Sequence, residues 1–90
     1  MEQELIRETK EELLSIADTL YQGLVSDGIA SMNQVIPNLS MIASQIQDES
    51  LQSRLVSDAL SPLLSAMEEE DGTLMADLIT YELVEILDLL

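Results

Sequence analysis

The stretch Asp71-Gly72-Thr73-Leu74-Met75-Ala76-Asp77-Leu78-Ile79-Thr80-Tyr81-Glu82-Leu83-Val84-Glu85-Ile86-Leu87-Asp88-Leu89-Leu90 decides the fold. At about 100° per residue, Met75, Leu78, Ile79, Leu83, Ile86, Leu89 and Leu90 fall on one broad stripe, which is the pattern of an amphipathic helix. Such a face needs a partner surface, so this helix must dock on the rest of the chain. Glu82 lies near the middle of the stripe. A carboxyl group there would have a raised pKa if buried alone, or would be tied to one of the few bases.

Working back from that segment, three more amphipathic stretches appear. Residues 2–25 place Ile6, Leu13, Ala17, Leu20 and Leu24 on one side, flanked by Leu5, Ile16 and Tyr21. Glu4, Glu8, Glu11, Ser15, Asp18 and Gln22 fall on the other. Glu2 and Glu4 occupy the first turn, where carboxylates suit the helix dipole. Gly23 reads as an internal cost or a point of close helix approach, and Asp27-Gly28 as the turn that stops the helix. Residues 29–47 repeat the pattern with Ile29, Met32, Val35, Ile36, Leu39, Ile42, Ala43 and Ile46. Asp48-Glu49-Ser50 supplies an N-cap for a third helix to about Glu69, built on Leu51, Leu55, Val56, Ala59, Leu60, Leu63, Leu64 and Met67. Pro37 and Pro62 interrupt these two stretches without breaking the phase of the stripe. Each is expected to kink its helix rather than divide it.

Four amphipathic helices joined by short loops, with no alternating strand pattern, predict an all-α fold. Residues 1–90 form one domain, a small antiparallel bundle. With two Tyr and no Phe or Trp, its core must be aliphatic.

Composition excludes much chemistry. The chain has no His and no Cys, so it has no imidazole base, no ordinary zinc site, no thiolate nucleophile and no disulfide. The three glycines, at 23, 28 and 72, stand too far apart for a phosphate loop. A calcium loop with Gly72 at its sixth position would need carboxylates at Met67 and Leu78, and so fails. No cofactor, no metal and no catalytic residue is expected, and the protein is read as a non-enzyme.

Eighteen acids against three bases give a net charge of −15. That field repels phosphate backbones and anionic lipid, which argues against nucleic-acid and membrane partners and favours basic ones. No basic leader precedes an apolar run, and no stretch is long and uncharged enough to span a bilayer, so a cytoplasmic protein is expected. Asn38-Leu39-Ser40 fits a glycosylation sequon, which has no role inside the cell.

The motif Asp71-x-x-Leu74-x-Ala76-Asp77-Leu78-x-x-Tyr81-Glu82-Leu83 resembles the C-terminal signature of an uncharacterised family of small, acidic, all-helical bacterial proteins, mostly from Firmicutes. Asp27-Gly28 and Pro37-Asn38-Leu39 are similar to that family's upstream features. The resemblance implies a helical fold and a bacterial origin, and carries no activity with it. In outline the chain is also similar to small flagellar and secretion chaperones.

Hydrophobic residues make up 47% of ninety positions, more apolar surface than one small core easily hides. The expected role is therefore protein–protein interaction, including self-association as a homodimer. The alternatives are a chaperone that binds an amphipathic client helix and an acidic mimic of nucleic acid that inhibits a basic protein. Asp77, Tyr81, Glu82, Leu78, Leu83 and Ile86 are the interaction candidates, with an Asp77–Tyr81 contact expected within the helix. Arg7, Lys10 and Arg54 are the candidates for a buried ion pair with Glu82.

Overall fold

Residues 3–90 are described by a computed structural model. Among them are four helices and no strand: α1 (Gln3–Tyr21), α2 (Val25–Gln45), α3 (49–68) and α4 (72–88). Glu2, read as a first-turn acid, lies outside the described residues. No described helix is long and apolar enough to cross a membrane.

Successive helices run antiparallel, as the short loops require. Residues Glu12, Ser15 and Ile16 of α1 line one groove with Ser31, Gln34 and Val35 of α2. Lys10 of α1 pairs with Asp88 at the far end of α4, and Tyr21 at the end of α1 meets Asp77 near the start of α4. Thus α1 is sandwiched between α2 and α4, and α3 packs along α4. The α2–α3 seam is the loosest, with little contact between the two helices. The Gln52 side-chain amide donates to the Ala43 carbonyl there, at 2.8 Å. One core cluster draws on all four helices, with Leu13, Met32, Leu39, Ile42, Leu55, Leu63, Met75, Ile79, Leu83 and Ile86 completely buried.

The helix ends correct the sequence reading. The first helix stops at Tyr21 rather than at Asp27-Gly28, and Gly23 is its terminator. Gly23 adopts φ +87°, the left-handed conformation that costs a Cβ-bearing residue roughly 1–2 kcal/mol. Its N–H donates to the Leu20 carbonyl at 2.9 Å, and the Leu24 N–H reaches back to Thr19 at 3.2 Å. This pair of bonds is a Schellman closure. Asp27 instead lies in the first turn of α2, where its charge favours the dipole. Gly28 is the point of close approach: a Cβ there would fall 2.3 Å from Leu20 Cδ2. The two glycines have exchanged the roles that sequence order implied.

The second corner repeats the closure without glycine. Glu70 sits at φ 55°, its N–H donates to Met67 at 3.1 Å, and the Asp71 N–H donates to Ala66 at 2.9 Å. Asp71 then caps α4, its carboxylate accepting from the Leu74 N–H at 3.1 Å. Asp48 does the same for α3, accepting from Ser50 and Leu51. Gly72 is no turn residue. It is the first residue of α4, buried against Val25, whose Cγ2 lies 2.7 Å from where a Cβ would stand.

α2 continues unbroken through Pro37, whose ring faces solvent. Inside α3 the chain winds as π-helix over Arg54–Leu60, just ahead of Pro62, and inside α4 over Ile79–Leu83. The Ser61 N–H accordingly bonds the Val56 carbonyl, and the Val84 N–H that of Ile79. These wider turns slip the phase of the stripe. Val56, Leu64 and Leu89, counted in the stripes, emerge exposed, while Ala66, Ala76, Val84 and Leu87 go inside.

Candidate functional site

The three basic side chains are all engaged. Arg7 is exposed on α1 and bridges Glu4 and Glu11, the second at 3.1 Å. Lys10 pairs with Asp88. Arg54 alone reaches Glu82, with Nε 3.3 Å from Oε2, and its Nη2 lies 3.7 Å from Glu85. Glu82 and Arg54 are about one-third exposed, so this is a half-buried tie between the two π-helical turns and not a buried pair. Of the candidate bases, Arg7 and Lys10 do not meet Glu82 at all.

The α4 interaction candidates divide by depth. Leu83 and Ile86 are fully buried and belong to the core, as their place on the apolar stripe requires. No partner can touch them without unfolding the helix. Leu78 is half-buried. Asp77 and Tyr81 are on the surface, but the expected bond between them is replaced by a longer-range one. The Tyr21 hydroxyl donates to Asp77 Oδ1 at 2.7 Å across the α1–α4 seam. That bond, above all, holds the Tyr21 phenol above its ordinary pKa, because ionisation would set a phenolate against a carboxylate. Tyr21 had been read only as a flank of the α1 stripe. Nothing local marks it, since its partner lies fifty-six residues away.

The surface has two unlike sides. From Gly28 to Gln47 the chain carries no charged residue, and from Ser50 to Met67 only Arg54 and Asp58. α2 therefore presents serine, asparagine, glutamine and apolar groups with Asp27 its one charge, and α3 carries Glu49, Arg54, Asp58 and Glu68, while α1 and α4 carry eleven charged residues over Gln3–Tyr21 and 72–88. α2 and α3 also carry apolar groups left partly in water: Ile29, Ile36, Leu60 and Met67 are half-buried, while Val56 is 45% and Leu64 47% exposed. Sequence reasoning missed this side, although the twenty-residue gap in the charge map marks it.

Among the described residues, four helices and no strand define a small all-α domain. Residues 3–90 match the model of a domain of unknown function, DUF8042, and the chain belongs to that family. No curated protein and no solved structure matches it.

Proposed function

We propose that the protein is a non-catalytic interaction module that pairs with a second copy of itself through the α2–α3 seam. The observation that carries this reading is the coincidence of half-exposed apolar side chains with the sparsely charged side of a chain whose net charge is −15. Two such chains repel each other across α1 and α4 and meet without that penalty across α2 and α3. Burial of Val56, Leu64 and the half-covered Ile36 and Leu60 would supply the attraction, at roughly 25 cal/mol per Å² of apolar surface removed from water. The non-catalytic reading is supported by the Glu82 carboxylate, the candidate for acid–base work, being held by Arg54. A cytoplasmic location goes with this reading and is checked by fractionation of the producing cell.

Light scattering after gel filtration tests the pairing. The expected particle has twice the 10.0 kDa chain mass at micromolar concentration. Val56→Glu and Leu64→Glu change side chains that are already exposed, so each is expected to give a folded monomer. A wild-type chain that stays monomeric at every concentration overturns the reading.

A further inference from the structure

We propose that Tyr21, Asp77 and Tyr81 form a socket on the α1–α4 side for one cationic side chain, an arginine or lysine, of a partner protein. These are the chain's two aromatic residues, and neither is used to fill the core: Tyr21 is 52% and Tyr81 62% exposed. Tyr21 reaches Asp77 from the end of α1, at 2.7 Å, and Tyr81 follows Asp77 by four residues in α4. The Tyr81 phenol is near enough to weigh on Tyr21's ionisation.

The ligand's sign follows from the surroundings. An aromatic face attracts a cation through its quadrupole, and a carboxylate adds a charge-assisted hydrogen bond. A carboxylate offers about four acceptor positions, so the Tyr21 hydroxyl leaves capacity for a guanidinium or ammonium. The chain's own cations are committed elsewhere, Arg7 to Glu4 and Glu11, Lys10 to Asp88, and Arg54 to Glu82 and Glu85. The Tyr21–Asp77 bond fixes both groups before a ligand arrives, which lowers the ordering cost of binding. The site lies on different helices from the α2–α3 seam and does not depend on self-association.

The test titrates the full chain, at constant ionic strength, with N-acetyl-arginine methylamide and its lysine counterpart, following the ring resonances of the two tyrosines by NMR. The expected result is saturable binding that moves both rings. Asp77→Asn should weaken it about ten-fold, through loss of the charge-assisted bond. Tyr81→Leu, at an exposed position, should weaken it by about three- to ten-fold. Asp58→Asn removes the same charge from α3 and should leave affinity unchanged. Shifts that never saturate, or an Asp58→Asn loss equal to that of Asp77→Asn, would mean diffuse attraction to an acidic surface and would overturn the socket.

Discussion

Glu70 is held in a conformation that suits glycine. With φ at 55°, its Cβ crowds the following carbonyl, and its charge sits at the C-terminal end of α3, where the dipole is also negative. Glu70→Gly relieves both and should stabilise the fold by about 1 kcal/mol, read from the midpoint of urea unfolding. Thr9 offers a second gain. Its hydroxyl is completely buried with no hydrogen-bond partner, a desolvation cost without return. Thr9→Val keeps the shape, removes the orphan, and should add about 1 kcal/mol in the same measurement. Tyr21 gives a pH signature. Its bond to Asp77 needs the protonated phenol, so the folded state binds that proton more tightly than the unfolded chain. The stabilisation is full below the ordinary tyrosine value of about 10 and is lost as pH rises through the higher folded value. In Asp77→Asn, phenolate absorbance should show Tyr21 titrating closer to that ordinary value.

At the scale of the helices, close packing sets the tolerance. α1 and α2 approach so tightly at Gly28 that a methyl group would strike Leu20, itself buried. Gly28→Ala is expected to cost about 1–3 kcal/mol, although alanine is the better helix former, because an overpacked contact outweighs propensity. A melting temperature at or above wild type would contradict that packing. The same position shows what sequence could reveal. Periodicity located all four helices and most of the core, because α1 and α2 keep ordinary winding and Asp48 and Asp71 announce their caps. It misplaced the first turn because Asp27-Gly28 and Gly23 are both plausible stops, and only the three-dimensional approach of Leu20 tells them apart. Leu83 and Ile86 are not available to partners, because the apolar stripe they lie on is the face that docks α4 on the rest of the chain. The Tyr21–Asp77 bond, joining opposite ends of the chain, has no local signature at all.

Across the whole molecule the governing quantity is the uneven spread of charge. Mutual repulsion among the acids opposes the folded state, so raising ionic strength from low to physiological values should raise the melting temperature in differential scanning calorimetry. Insensitivity to salt would mean the carboxylates are too well separated to matter. The bundle thus has an electrical front and back, with eleven charged residues on α1 and α4 and five on α2 and α3. A cationic polypeptide drawn to the front would neutralise part of what keeps two copies apart, and would therefore tighten their contact at the back. For the proposed pair, linkage makes the effect mutual: whatever the polycation adds to the pairing, the pairing adds to the hold on the polycation.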